Sequence, residues 1–361
     1  MNRYSPVVIR FSFIFGIYED FYCEILFLFL CFLTVMGIQL WVKAKKVFYW
    51  LVIVCISTSL FVFVGWRSQM MFRIVVLEEP HYLCPYFRGG LGNLMFMYAS
   101  LYGIAQTKAM KLVLNQQDHI ITVFPNLKAE ILANTSFCET ALLVGEVKPC
   151  AYNEETFSYD HKKNTRQKAY LQSWKYFENV EQDIRRQFQF TPSVQETATN
   201  VIRNHTNSYI RNRGLNKTLE IIGVHIRRGD YLQSHNVKYG YEVVTKAYID
   251  NAFQYFRNKF KECLFLVFTG PGNEDIRWRN ENINGNDVVH MPANIRDVDM
   301  CALSMCNHTL ITVGSFGWWA AWLSKGTTVY FKNVAKENSS LRNDFSKDMS
   351  DFFPPKWIGL Q

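Results

Sequence analysis

Residues 47–66 read VFYWLVIVCISTSLFVFVGW, twenty consecutive positions without a charged side chain. At a rise of about 1.5 Å per residue, a helix of that length spans a hydrocarbon core about 30 Å thick. The pattern therefore predicts a transmembrane signal anchor. Lys43, Lys45 and Lys46 precede it and only Arg67 follows closely, so the positive-inside bias keeps the lysines cytosolic and sends the C-terminal bulk into a lumen, the type II orientation. A cleaved signal peptide fits less well, because its apolar core usually runs about 7–15 residues and ends at a small-residue cleavage site. A second apolar stretch, residues 25–42, lies within the N-terminal region 1–46. It leaves open an extra membrane helix or an upstream extension that a start at Met36 would remove. Residues 67–80 read as a short stem.

Beyond the stem the apolar pattern turns periodic. Leu91, Leu94, Met95, Tyr98, Tyr102, Ala105 and Ala109 recur at intervals of three and four, which predicts an amphipathic helix within 89–110. It is entered through Gly89-Gly90-Leu91-Gly92-Asn93 and followed by a strand at 111–114, so a βαβ unit is expected to open the globular part. From 115 to 215 the pattern is weak, apart from Tyr170-Leu171-Gln172-Ser173-Trp174 and a helix expected over 178–188. It sharpens at Leu219: Ile221, Ile222, Val224 and Ile226 predict a buried strand. Ile249, Ala252, Phe253, Phe256 and Phe260 form the apolar face of a helix. Strands at 264–269, 288–290, 309–313 and 327–331 alternate with helices after Gly272, at 299–306 and from near Ser315. Alternation with short links predicts an α/β fold with a doubly wound parallel sheet. Ligands of such sheets sit just beyond the carboxyl ends of the strands.

The chain carries 39 Lys and Arg against 31 Asp and Glu, a net charge of +8, with 49% apolar and 19% charged residues. That composition excludes a disordered chain. Residues 1–66 hold five basic and three acidic side chains, so the remaining 295 residues carry +6. Mild basicity without runs of Lys or Arg suits a small anionic ligand, and no nucleic-acid partner is expected. Five Asn-x-Ser/Thr sequons, at Asn134, Asn204, Asn216, Asn307 and Asn338, follow the anchor and would meet the glycosylation machinery in a lumen. So would the six cysteines Cys84, Cys138, Cys150, Cys263, Cys301 and Cys306 meet oxidising conditions that permit disulfides. No two form a C-x-x-C pair, so zinc or thioredoxin chemistry is not indicated, and fifteen pairings stay open.

Two stretches carry candidate chemistry. In Gly223-Val224-His225-Ile226-Arg227-Arg228-Gly229-Asp230-Tyr231 a buried strand runs straight into two guanidiniums and a carboxylate. Arg presents a planar fork of donors that matches phosphate oxygens, which suits a diphosphate leaving group. An internal Arg–Asp salt bridge and an exposed Arg-Gly-Asp adhesion tripeptide are the competing readings. The second stretch, LITVGSFGWWAAWLS at 310–324, leads from an apolar strand through Gly314-Ser315 into an aromatic helix whose free N–H groups favour phosphate. Trp318, Trp319 and Trp322 are expected in the core. Gly90-Leu91-Gly92 lacks the third glycine of a dinucleotide fingerprint, with Met95 at that place, and no Walker A sequence occurs. Asp297-Val298-Asp299 has the spacing of a metal-holding D-x-D pair, but helix capping is the favoured reading for at least one of the two.

Three blocks together resemble the α1,2-fucosyltransferases of glycosyltransferase family 11: GGLGNLMFMYASLYGIA (89–105), GVHIRRGDY (223–231) and CNHTLITVGSFGWWAAWLS (306–324). The resemblance runs from about Gly89 to Gly359 and takes in Gln172-Ser173-Trp174 and Pro355-Lys356-Trp357. It implies a GT-B-like fold, two Rossmann-like domains facing a cleft, behind a type II Golgi anchor. The N-terminal half, 81–215, would be the acceptor side and the C-terminal half, 216–361, the GDP-fucose side. The implied reaction is inverting transfer of fucose from GDP-fucose to a galactose-terminated glycan without a required metal. By position, Arg227 and Arg228 would bind the pyrophosphate, His225 would help place the nucleotide, and Ser315 with the following backbone would hold the β-phosphate. Gly90, Gly92 and Asn93 would complete the donor site. The resemblance picks Asp299 over Asp297, and Asp230 and Asp299 are the candidate acceptors of the acceptor hydroxyl's proton. One departure is Leu94, where the family commonly has Gln after Gly-Asn, so a polar contact expected there is missing. Two rivals remain: a transferase that modifies protein Ser or Thr, and a membrane-anchored glycan-binding protein without catalysis.

Overall fold

The computed structural model describes residues 48–57, 81–158, 160, 162–214 and 219–361. The chain divides into two compact units, 1–78 and 79–361. In the first, residues 48–57 are helical with exposed side chains. The rest of the expected anchor, the apolar stretch 25–42 and the stem 67–80 lie outside the described residues. Among the described residues no helix is long and apolar enough to cross a membrane.

The second unit contains two sheets, both parallel throughout. Strands β1 (Tyr82–Pro85), β2 (Lys111–Asn115), β3 (Glu130–Leu132), β4 (Leu142–Gly145) and β5 (Thr165–Lys168) form the first, in the order β3-β2-β1-β5-β4. Strands β6 (Glu220–Ile226), β7 (Cys263–Thr269), β8 (Val288–His290), β9 (His308–Ile311), β10 (Thr328–Phe331) and β11 (Ile358–Leu360) form the second, in the order β11-β10-β9-β6-β7-β8. The alternation of strands and helices thus builds an α/β fold with two parallel sheets, in keeping with the α/β class expected. Helices α1 (Leu91–Lys108), α2 (His119–Val123), α3 (Glu181–Gln187), α4 (Pro192–Arg213), α5 (Ser234–Tyr239), α6 (Lys246–Lys259), α7 (Asn273–Asn282), α8 (Arg296–Met305), α9 (Ser315–Leu323) and α10 (Ser340–Asn343) fill the connections.

The strong strands are those whose residues are apolar on both faces. All seven residues of β7 are buried, and β6 pairs with it from Glu220↔Cys263 to Ile226↔Thr269. Helix α6 begins at Thr245, whose hydroxyl accepts from the Tyr248 amide at 3.3 Å, and buries the expected face of Ile249, Ala252, Phe253 and Phe256. Helix α1 departs from the amphipathic expectation: Leu91 and Gly92 and every residue from Leu94 to Ala105 are buried. The reason is that α1 packs on its own sheet and also on α9 from the other. Phe96 lies 4.5 Å from Trp318 and 5.0 Å from Trp319, ring centre to ring centre, and Phe177 stacks on Trp319 at 5.4 Å. Trp318, Trp319 and Trp322 are core residues, as their spacing predicts. This aromatic cluster joins the two sheets. Cys84 on β1 is bonded to Cys138, while Cys150, Cys263, Cys301 and Cys306 are buried free thiols.

Candidate functional site

In each sheet the chain leaves a central strand in one direction and returns on its other side. The reversal falls between β1 and β5 in the first sheet and between β6 and β9 in the second. Crevices open at the carboxyl ends of strands at such reversals. The segments beyond these four strands line one cleft of about 530 Å³. Gly90, Gly92 and Asn93 follow β1, Tyr170 and Gln172 follow β5, Arg227 and Asp230 follow β6, and Thr312 to Phe316 follow β9.

The amino ends of α1 and α9 meet in this cleft. A Cβ on Gly92 would stand 2.6 Å from the Ser315 carbonyl carbon and 2.7 Å from the Phe316 nitrogen, so only glycine allows the approach. Asn93 pins the junction: its Oδ1 accepts from Ser315 Oγ at 2.6 Å and from Gln172 Nε2 at 2.9 Å. Gly314, the N-cap of α9, has φ +110°, and a Cβ there would lie 3.1 Å from the Tyr231 hydroxyl and 3.3 Å from Arg227 Nη1. No described side chain caps either helix, and neither has an acidic residue in its first turn. The first-turn amides and the positive ends of two helix dipoles thus converge on one place.

Arg227 completes it. Its amide donates to Thr312 Oγ1 at 2.9 Å, its guanidinium covers the Tyr231 ring at 4.7 Å, and its Nε and Nη2 bond both oxygens of Asp230 at 3.1 and 2.7 Å. Burial works against the charge of Arg227, but the bonds to Asp230 more than offset it and raise its pKa. The same bonds hold the Asp230 carboxyl below its usual range despite burial. The internal salt bridge, one of the competing readings of the sequence, is therefore present at a residue that also lines the cleft: Asp230 orients the guanidinium from one side, and Nη1 lies toward Gly314.

Of the residues expected at the site, Gly90, Gly92, Asn93, Arg227, Asp230 and Ser315 line the cleft, whereas His225, Arg228 and Asp299 do not. His225 lies beneath α9, where a Cβ on Gly317 would come within 2.6 Å of its Nδ1. Burial, with the neighbouring Arg227 charge, lowers its pKa from 6.5 to about 3 and keeps it neutral. Arg228 turns toward the Val244 carbonyl, 2.9 Å away, and over the Trp278 ring. Asp299 accepts from Asn294 at 3.1 Å, off the cleft wall. Asp230 is on the wall but has both oxygens engaged. Neither placement supplies a free carboxylate to receive a proton. Leu94 is buried in the core, so the side chain that departs from the family pattern does not face the cleft. Among the described residues no cluster of three His, Cys, Asp or Glu could hold a metal ion.

Several lining residues carried no sequence signal of function. Tyr239 and Tyr241, on either side of the left-handed Gly240, reach the cleft, as do Arg296 and Asp344. Gln172 and Tyr170 belong to a legible stretch in 115–215, but nothing in that stretch tells where it docks.

Residues 81–361 match the model of glycosyl transferase family 11. Galactoside alpha-(1,2)-fucosyltransferase 1 of Alouatta belzebul is 30% identical over 75% of this chain and 73% of its own length. Galactoside 2-alpha-L-fucosyltransferase SEC1 of Bos taurus is 28% identical over 76% and 72%. Among solved structures, an Arabidopsis thaliana fucosyltransferase in complex with GDP aligns with a TM-score of 0.45 at 13% identity, over 73% of this chain and 74% of that one.

Proposed function

The chain belongs to glycosyltransferase family 11, and from that premise we propose that it transfers L-fucose from GDP-β-L-fucose in α1,2 linkage to a terminal galactose of a glycan, with inversion. The observation that carries the reading is the convergence of two uncapped helix N-termini and the oriented guanidinium of Arg227 in one cleft. Such a constellation suits the diphosphate of a nucleotide sugar.

As the bond between fucose and the β-phosphate lengthens, negative charge grows on the departing GDP. Donors fixed in advance at that place stabilise the transition state more than the ground state. Arg227 supplies a full charge there. Ser315 and the first-turn amides of α9, with Gly90 and Gly92 at the start of α1, supply dipoles that need no reorganisation. Asp230 acts by holding Arg227 in position, and His225 by supporting α9 from below. Because these groups neutralise the leaving diphosphate, the reading includes no required metal.

The same proposal takes the two sheets as a GT-B pair, with 81–215 on the acceptor side and 216–361 on the GDP-fucose side. It takes residues 47–66 as a type II anchor and the Golgi lumen as the location of the globular part. The Cys84–Cys138 disulfide and the exposed sequon residues Asn134, Asn204 and Asn338 fit a lumenal domain.

The test is transfer by the full-length chain purified in detergent, with labelled GDP-fucose, a panel of β-galactosyl acceptors, linkage analysis, and EDTA in a parallel series. An α1,2-linked product formed equally with EDTA is expected. Transfer to protein Ser or Thr instead, or GDP binding without transfer to any glycan, overturns the reading in favour of a protein-directed transferase or an inactive binder.

A further inference from the structure

The cleft wall has two described carboxylates, Asp230 and Asp344, and they are held differently. Asp230 gives both oxygens to Arg227. Asp344, just after α10, accepts through Oδ2 from the Tyr239 hydroxyl at 2.6 Å, and no described group donates to its Oδ1. Its backbone is fixed too, since its carbonyl accepts from the Cys150 amide at 3.0 Å. From there a continuous set of contacts leads to the helix junction. Cys150 Sγ touches Gln172 Oε1 at 3.5 Å, Gln172 bonds Asn93, and Asn93 bonds Ser315. Tyr170, Tyr241 and Phe345 line the same wall.

Resting on the fucosyl-transfer reading, we propose that Asp344 is the catalytic base, with Tyr239 fixing one carboxylate oxygen and the other taking the proton of the acceptor hydroxyl. In the step, the O–H bond of the galactose 2-hydroxyl breaks and its proton passes to Asp344 Oδ1. The galactose 2-oxygen, freed of its proton, bonds to the anomeric carbon of fucose. The bond from the anomeric carbon to the β-phosphate oxygen breaks, and its electron pair leaves with GDP. Asp344 then returns the proton to water.

The surroundings suit the task. Partial burial raises the Asp344 pKa, while the Tyr239 hydrogen bond and the charge of Lys148 oppose the rise. Glu146, Cys150, Tyr170 and Tyr241 are the other titratable groups near this pair. A carboxylate raised by burial takes a proton more readily than Asp230, which its arginine holds low.

The test compares the full-length chain with Asp344→Asn and Tyr239→Phe for transfer kinetics, GDP affinity and thermal melting. Asp344→Asn is expected to lower kcat for transfer by about 10²–10⁴-fold with GDP affinity unchanged. Tyr239→Phe removes a hydrogen bond to the charged carboxylate, so the acid limb of kcat/KM should move to higher pH. Near-normal kcat in Asp344→Asn overturns the assignment, as does a loss of GDP affinity that matches the loss of rate. If Asp344→Asn fails to fold, the Tyr239→Phe profile decides, and an unmoved acid limb overturns it. A wild-type chain that transfers nothing overturns the fucosyl-transfer reading, and the assignment with it. An active wild type beside an equally active Asp344→Asn overturns the assignment alone.

Discussion

Arg227 shows how a residue expected from sequence acquires its function from its neighbours. A guanidinium directly after a buried strand was legible as unusual, because charge at that depth is expensive unless engaged. What engages it was not legible: Asp230 is three residues away, but Thr312 and Tyr231 converge only through the fold. Replacing Arg227 with Ala should lower kcat/KM for transfer by about 10²–10³-fold while the melting temperature holds. Arg227→Lys should recover little, since a single ammonium cannot bond Asp230 and face the diphosphate together. Steady-state kinetics with varied GDP-fucose would read both. Gly92→Ala places its methyl group 2.6 Å from the Ser315 backbone, so weakened GDP binding is expected by calorimetry. His225 predicts a pH effect. Its folded pKa lies near 3 against 6.5 when exposed, so below about pH 6.5 the unfolded chain takes a proton that the folded chain refuses, and stability falls as the pH drops toward 3. His225→Gln should flatten the acid side of the profile of unfolding free energy against pH by up to about 1.4 kcal/mol per pH unit, measured by denaturant titration. Burial depresses His290 and His308 as well, so the flattening is partial.

Among the elements, α6 was readable because it presents one apolar face at a regular interval. The α1 and α9 pair was readable as helices but not as partners. The spacing in α1 predicts one apolar face and the tryptophans of α9 are expected in the core, but neither pattern states what buries them. The answer is each other, through Phe96, Phe177, Trp318 and Trp319. Trp319→Ala should cost about 3–5 kcal/mol, seen as a lower melting temperature together with weaker GDP binding, because the same packing sets the two helix N-termini. Helix α4 escaped the apolar reading because only Ala198 in it is buried, although Pro192 at its start and Gly214 in the left-handed region at its end are ordinary helix punctuation. Strands β3, β4 and β5 are three or four residues long and partly exposed, too short for a period-two pattern to register. The Cys84–Cys138 bond anchors β1 across 54 residues of sequence. Its removal by Cys84→Ala and Cys138→Ala should cost about 2–4 kcal/mol in thermal unfolding.

At the scale of the whole molecule, a lumenal location predicts modification at sequons that are exposed. Asn134, Asn204 and Asn338 are exposed, and Asn307, although exposed too, has its Oδ1 held by the Ile221 amide at 2.9 Å and its sequon threonine, Thr309, wholly buried in β9. Expression in a secretory host followed by peptide mapping should find glycans at the first three and little at Asn307, and an unmodified chain would count against the lumen. The sequence by itself determined the class of fold and the type of ligand. Alternating apolar strands and helices admit few arrangements besides parallel sheets, and an Arg-bearing strand end beside a Gly-Ser helix start favours phosphate whatever surrounds it. The tertiary structure alone decided which of the named residues share a cleft. Whether a side chain beyond a strand turns inward, as Arg227 does, or outward, as Arg228 does, depends on packing from segments far away in the chain. For the same reason Asp344 and Tyr239, 105 residues apart, became visible only once the fold had brought them together.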